Sequence, residues 1–297
     1  MSAPPFIGRE AEARLDWLAL VDALAAGHTL PRAEMRDSFA TRGADTILTR
    51  TAWIDGMGLL VKAATIFPAN RDLPSVNGAV TLFSDADGTL EAVIDFHLIT
   101  KWKTAADSLL AALRLAPPEV RTILVVGAGT VAASLLECYG AGFPGTRFVI
   151  WNRTRSRAEA LAGDGVTVAD DLAGAVAEAD IVVTATMSTE PVIRGEWLRP
   201  GQHLDLIGAY RADMREVDDA ALLRARLFTD ARLSAAHIGE FADPFERGII
   251  TEADVIADYY DLAAFSRAPD DITIAKNAGG AHLDLMTARY ILGAVAT

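Results

Sequence analysis

From Thr122 to Arg155 the chain reads TILVVGAGTVAASLLECYGAGFPGTRFVIWNRTR. A β-branched apolar run, Ile123 to Val126, meets Gly127-Ala128-Gly129-Thr130-Val131-Ala132 and then an apolar helical pattern. A second apolar run, Phe148 to Trp151, ends in Asn152-Arg153-Thr154-Arg155. Strand, glycine turn, helix and strand at this spacing are the fingerprint of a dinucleotide-binding βαβ unit. Gly127 permits the tight turn, Gly129 lets the backbone approach a pyrophosphate, and Ala132 lets helix pack close on strand. The helix N-terminus adds free N–H groups and the positive end of its dipole. Folds of this kind that prefer NAD place an acidic residue at the end of the second strand, for the ribose 2′-hydroxyl. Here Asn152 stands there, beside Arg153, Thr154 and Arg155, which suits a 2′-phosphate. The expected cofactor is NADP(H), with NAD(H) also admissible.

The rest of the chain is read around that unit. Its 297 residues suffice for two domains, and 51% apolar residues suffice for full cores. A net charge of −13 argues against nucleic acid or an anionic membrane as partner, since either needs a basic face. The N-terminal MSAPPFIGRE lacks the basic and apolar regions of a signal peptide. No apolar run reaches the roughly 18 to 20 residues that span a bilayer, so a cytoplasmic location is expected. The lone Cys138 excludes an internal disulfide and a thiolate metal cluster, and it reads as inert core. His97, His203 and His237 have no metal-like spacing, and no metal is expected.

Residues 8–27 and 31–40 carry helical periodicity. Strand-like runs follow at Ile47 to Trp53, Leu59 to Phe67, Ala79 to Phe83 and Leu90 to Phe96, the last two joined at Asp85-Ala86-Asp87-Gly88. A helix is expected over 104–116, before the break at Pro117-Pro118. Strands at 122–126, 147–152, 180–186, 203–208 and 226–230 alternate with helices, the pattern of a doubly wound parallel sheet. Helices are expected over 251–265 and 281–294, with an apolar strand from Ile272 between them. The fold class is therefore α/β: a Rossmann domain over 117–274, and an α+β substrate and dimerisation domain over 1–116 with 275–297. The cofactor is expected along the strand C-termini, facing the cleft between domains.

Hydride transfer is the cofactor's chemistry; the protein must hold the substrate and place charge. Lys103 precedes Thr104-Ala105-Ala106 at the expected start of an Ala/Leu-rich helix. A cation in a first turn opposes the helix dipole, and a local rule broken without visible gain marks a candidate site. Lys62, inside the apolar strand Leu59 to Ala64, faces either solvent or a pocket, and Arg50 has the same two readings. Tyr210 follows a strand and Gly208; its hydroxyl could donate a proton, or its ring could wall a pocket. The expected cofactor contacts are Thr104, Gly127, Gly129, Thr130, Val131, Asn152, Arg153, Thr154, Arg155, Thr186, Met187, Ser188, Lys276 and Gly279.

The chain resembles the ornithine cyclodeaminase/μ-crystallin family over most of its length. The likeness runs through Val61-Lys62-Ala63 with Phe67-Pro68, the strand from Gly78 to Phe83, Thr104-Ala105-Ala106, and Gly127 to Ala132. It continues through Ala179 to Thr186, Arg199-Pro200-Gly201, Met214-Arg215-Glu216, Gly239-Glu240 and Ile272 to Gly279. The resemblance implies a homodimer acting on small amino acids or their imines. It also implies that a carboxylate-binding trio of cations maps onto Arg50, Lys62 and Lys103. Two departures stand out. The family commonly has arginine where Lys103 stands, and lysine lacks the planar fork of arginine. Cyclodeaminating members carry an aspartate where this chain has Tyr210. The expected activity is therefore NADPH-dependent reduction of a small carboxylate-bearing imine, with Lys62, Lys103 and Tyr210 as catalytic candidates. The alternatives are an ornithine cyclodeaminase that recycles its cofactor and a μ-crystallin-type ligand binder without turnover.

Overall fold

A computed structural model describes residues 3–296. The chain up to Lys103 and the chain from Gly280 onward form one compact unit, and Thr104–Gly279 form a second. These borders stand beside sequence-based ones at 116 and 275.

The first unit opens with β1 (Phe6–Ile7) and α1 (Trp17–Gly27), followed by β2 (Glu34–Arg42), β3 (Asp45–Ile54), β4 (Gly58–Ile66), β5 (Val76–Phe83) and β6 (Leu90–Asp95). The sheet order is β1-β6-β5-β4-β3-β2, antiparallel except where β1 joins β6. Residues 31–40, expected as a helix, run instead into β2. Every residue from Glu34 to Arg42 pairs in register with β3, around a turn where Gly43 has φ +60°. The helical spacing there is weak, and continuous pairing around a glycine turn outweighs it.

The helix expected from 104 begins earlier: α2 spans Phe96–Leu115. Asp95 starts it, its carboxylate accepting the Leu98 amide at 2.8 Å. Lys103 therefore lies about two turns inside, where amides are already bonded. The Lys103 ammonium, expected in a first turn, is therefore not set against the positive end of the helix dipole.

The second unit contains β7 (Thr122–Val126), α3 (Thr130–Gly142), β8 (Arg147–Trp151), α4 (Arg155–Glu159), β9 (Val166–Val168), α5 (Leu172–Glu178), β10 (Ile181–Thr184) and β11 (His203–Leu206). It continues with α6 (Asp219–Arg224), β12 (Ala225–Thr229), α7 (Arg232–Ala235), α8 (Gly239–Glu246), β13 (Val255–Ala257) and β14 (Ile272–Lys276). All eight strands are parallel, in the order β13-β12-β14-β11-β10-β7-β8-β9. Both faces of β7, β10 and β11 are buried, as a sheet covered by helices on two sides requires. Strand order reverses at β7, which β8 and β10 flank, so Gly127 sits at the topological switch point. The helix expected over 251–265 is absent. A capping box of Thr251 and Asp254 starts a single 3₁₀ turn, β13 then adds an edge strand, and Asp258 caps a second 3₁₀ segment. Each cap begins a new element before one continuous helix can form.

The chain ends in α9 (Ala281–Ala296), part of the first unit. It packs with α1 and crosses β3 and β4 on the face where Leu60, Lys62 and Ala64 point inward. No helix among the described residues is long and apolar enough to cross a membrane.

Candidate active site: a cation cluster and a dinucleotide loop

Strand periodicity places the cations of the first unit. Arg50 of β3 is the direct cross-strand partner of Lys62 in β4, so both project from one face of the sheet. α9 lays Asp284 over that face, and Lys62 Nζ donates to Asp284 Oδ1 at 2.8 Å and to Thr100 Oγ1 at 3.2 Å. The Lys62 ammonium also lies 4.9 Å from the centre of the Phe96 ring. Lys103 is buried beside them, 7% exposed, and among the described residues its ammonium makes no hydrogen bond. Arg50 forms a fork on Asp37, with contacts of 2.9 to 3.1 Å.

The three cations act on one another. Burial pushes the Lys62 ammonium down; Asp284 opposes this, while Lys103 and Arg50 add to it. Burial alone would raise the Asp284 carboxyl, but Lys62, then Lys103 and Arg50, hold it below the usual carboxylate range. Asp284 is thus an internal carboxylate among three positive charges. His282, two residues before Asp284 on α9, is held well below its ordinary value by burial, then by His28, Lys103, Arg50 and Arg32, and is neutral. The structure brings Arg50, Lys62 and Lys103 into one cluster. Asp284, Asp37 and His282 join them without having been singled out in the sequence. One signal was available. The chain has 23 arginines and four lysines, and three of the four, Lys62, Lys103 and Lys276, are buried. A buried lysine is rare and needs a reason.

In the second unit, Gly127 has φ +119°, and a Cβ there would lie 2.5 Å from the Ala185 carbonyl oxygen. Glycine is required on both counts. Gly129 differs: its backbone is extended, and a Cβ would meet nothing within 4 Å. That open space lies beside the amide end of α3, which no side chain caps. The loop fits a pyrophosphate on these grounds. Gly129→Ala is expected to change unfolding free energy by no more than about 1 kcal/mol and to weaken dinucleotide binding by about tenfold or more. Urea unfolding and a fluorescence titration with NADPH on the same protein check both, and unchanged affinity would remove the loop from the cofactor site.

At the end of β8, Asn152 Nδ2 donates to the Thr154 carbonyl at 2.8 Å. Arg153 is exposed and makes no hydrogen bond or ion pair among the described residues. Arg155 is engaged by Glu159 and Asp170. Of the two arginines expected at a 2′-phosphate, Arg153 is the one left available. Thr130 and Val131 open α3, Thr104 lies within α2, and Met187 is 71% exposed after β10. Ser188 donates to the Glu190 carbonyl. The Gly279 amide donates to Asp230 at 2.5 Å.

Lys276, expected at the cofactor, is fully buried and donates to the carbonyls of Leu206, Ala209 and Asn277 at 2.8 to 3.1 Å. Its charge is spent inside the loop that follows β11. Glu216 holds the same loop from the other side. Its Oε2 accepts the Gly208 and Ala209 amides, and its Oε1 accepts the amide and hydroxyl of Thr186, just beyond β10. Glu240 in turn accepts the amides of Glu216 and Val217. In the sequence Glu216 and Glu240 stand only as motif residues, because nothing in their spacing reveals burial. Tyr210 emerges from this braced loop 55% exposed, with the Arg211 guanidinium 5.5 Å from its ring centre.

Burial, and then the nearby Glu216 charge, push the Glu240 carboxyl up to about 7. A folded-state value above the unfolded one means stability present at low pH and lost as pH rises. The loss runs from about 4.5 up to about 7 and amounts to about 3 kcal/mol. Glu240→Gln should abolish that share, so wild type should lose stability relative to Glu240→Gln as pH rises from 5 to 7.5, read from the two urea midpoints. A constant difference would contradict it.

With this geometry in hand, comparison with known proteins places the chain. Residues 54–296 match the sequence profile of the ornithine cyclodeaminase/mu-crystallin family. The chain belongs to that family. It is 48% identical to a Delta(1)-pyrroline-2-carboxylate reductase from Paracoccus denitrificans, over 98% of this chain and 96% of that one. It is 35% identical to the ketimine reductase mu-crystallin of Rattus norvegicus, over 78% and 75% of the two chains. Among solved structures, the Delta(1)-pyrroline-2-carboxylate reductase of Thermococcus litoralis, in complex with NADH and L-proline, superposes with a TM-score of 0.90 at 21% identity. That match covers 98% of this chain and 97% of that one. The cyclodeaminase/mu-crystallin fold is thus shared across the whole length.

Proposed function

We propose that this chain is an NADPH-dependent reductase of a small cyclic imine bearing one carboxylate, of the Δ1-pyrroline-2-carboxylate type. The observation that carries the reading is the cluster of half-buried Arg50 with buried Lys62 and Lys103 in a protein of net charge −13. Buried cations that exceed their internal partners call for an anionic ligand. The high identity to a pyrroline-2-carboxylate reductase supports the class of substrate.

Bound NAD(P)H supplies the hydride. The chain's own residues hold the dinucleotide at Gly127, Gly129 and the amides of Thr130 and Val131, and hold the substrate carboxylate at the cation cluster. Asn152, Arg153 and Thr154 favour the 2′-phosphate of NADPH. Arg155, spent on Glu159 and Asp170, contributes little. A homodimer is part of the proposal. The face of the first sheet turned away from α9 leaves Trp53 49% and Ile47 41% exposed, more apolar surface than solvent favours. Tyr210, where cyclodeaminating relatives carry an aspartate, argues against the lyase alternative.

The test is an assay of purified protein with Δ1-pyrroline-2-carboxylate and either cofactor, following nicotinamide absorbance. Stoichiometric oxidation of NADPH with formation of proline is expected, with kcat/KM at least about tenfold above that with NADH. Ammonia release from ornithine without net cofactor change would overturn the reductase reading. A preference for NADH would overturn the cofactor assignment alone.

A further inference from the structure

The three cations of the cluster are not equivalent, and the difference assigns them separate work. Arg50 has its charge met by Asp37 at 2.9 Å, and Lys62 has its charge met by Asp284 at 2.8 Å. Three cations less two carboxylates leave one positive charge, and Lys103 is the cation with no acid in hydrogen-bonding contact. One substrate carboxylate closes that balance at Lys103. Lys62 is then not needed as an anion clamp, and its geometry suits a different task.

An ammonium group has three protons. Lys62 directs one to Asp284 Oδ1 and one to Thr100 Oγ1. The Thr100 hydroxyl gives its own proton to the Phe96 carbonyl at 2.8 Å, so it can only accept from Lys62. Two protons are fixed, the stem is buried, and the third proton remains for a ligand. Asp284 is wholly buried, and its Oδ2 has no hydrogen-bond partner. Leaving a buried carboxylate oxygen unbonded costs stability, and the fold retains it.

Resting on the reductase reading above, we propose that Asp284 is a positioning residue for Lys62, holding its ammonium as the proton donor to the imine nitrogen. As hydride adds to the imine carbon, the C=N π pair moves to nitrogen, which takes a proton from Lys62 Nζ. Lys62 is left neutral and regains a proton from water. Asp284 stays ionised throughout, and its charge opposes the effect of burial on the ammonium. The groups facing Lys62 are Asp284 from α9, Lys103 from α2 and Arg50 from β3, with Asp37 of β2 behind Arg50; neutral His282 of α9 lies near Lys103 and Arg50, with His28 and Arg32 beside it. Of these, only Asp284 favours the charged form of Lys62 by direct contact.

The experiment combines pH profiles of imine reduction with lysine-labelled carbon NMR of the protein without cofactor; four lysines make assignment simple. In Asp284→Asn, the Lys62 resonance should titrate at least one pH unit lower than in wild type. At pH 8, kcat should fall by up to about tenfold for each unit of that shift, recovering most of that loss at pH 6. Asp284→Glu should bring the alkaline limb back to within about half a unit of wild type. A loss of kcat equal at all pH values, or a Lys62 titration unmoved in Asp284→Asn, overturns the proposal. If Asp284→Asn does not fold, Asp284→Glu decides, and a displaced alkaline limb there overturns it. If wild type reduces no imine while the Lys62 titration moves as stated, the reductase reading has failed and the positioning of Lys62 by Asp284 stands.

Discussion

Lys103→Ala is expected to raise KM for a carboxylate-bearing imine by about 30- to 100-fold, with NADPH affinity unchanged within about twofold. A hydrogen bond to a charged group contributes about 1.5 to 3 kcal/mol, and each 1.4 kcal/mol is a factor of ten. The upper part of that range applies because Lys103 is buried and carries the charge that the protein leaves uncompensated. Removing it leaves Arg50 committed to Asp37 and Lys62 to Asp284, so the substrate carboxylate meets a site of no net charge. Stability should hold or rise slightly, because the substitution deletes a buried charge that has no ion-pair partner. Lys103→Arg restores a cation with two parallel donors and should return KM to within a few-fold of wild type. Steady-state kinetics against imine concentration, with NADPH fluorescence titration alongside, separates the effects. A fall in kcat at constant KM would move Lys103 from substrate binding to chemistry.

The central sheet was legible because burial on both faces leaves a compositional mark. Ile123 to Val126 and Ile181 to Thr184 are short apolar runs bounded by turn residues, His203 to Leu206 alternates polar and apolar residues, and all three strands lie within a residue or two of the expected positions. Edge elements leave no such mark. β2 is exposed along most of its length and β13 is three residues long, so neither carries a usable period. Lys103 was singled out for a reason that fails, since α2 starts at Asp95 and not at Thr104; burial within the cluster is what distinguishes it. The acids of the two sites were illegible for a common reason. Asp284, Glu216 and Glu240 lie on helices or loops where an acidic residue is ordinary, and only tertiary contact buries them.

Glu216 has the largest structural consequence of these acids. Glu216→Ala is expected to destabilise the protein by about 3 to 5 kcal/mol and to abolish measurable imine reduction. The carboxylate is fully buried and accepts four donors: the amides of Thr186, Gly208 and Ala209 and the hydroxyl of Thr186. Alanine would strand the buried Ala209 amide and the half-buried amides of Thr186 and Gly208, and an unsatisfied buried donor costs about 1 to 3 kcal/mol. It would also remove the acid that most raises the buried Lys276 ammonium against burial, ahead of Glu240. The packing offers little room for adjustment, since a Cβ on Gly208 would lie 2.1 Å from the Thr186 carbonyl oxygen. The loops after β10 and β11 leave the central strands of the parallel sheet at their carboxyl ends, where such sheets bind their ligands. Loosening them should therefore disturb the nicotinamide end more than the phosphate loop at Gly127. Glu216→Gln is the control, because it keeps the shape and turns one acceptor into a donor facing an N–H group. It should lose about 2 kcal/mol and retain dinucleotide binding. Urea midpoints at fixed pH, with proteolysis of the 186–190 and 208–214 segments, read the two effects separately. Equal stability of Glu216→Ala and wild type would show that water replaces the carboxylate and that the bracing of these loops lies elsewhere.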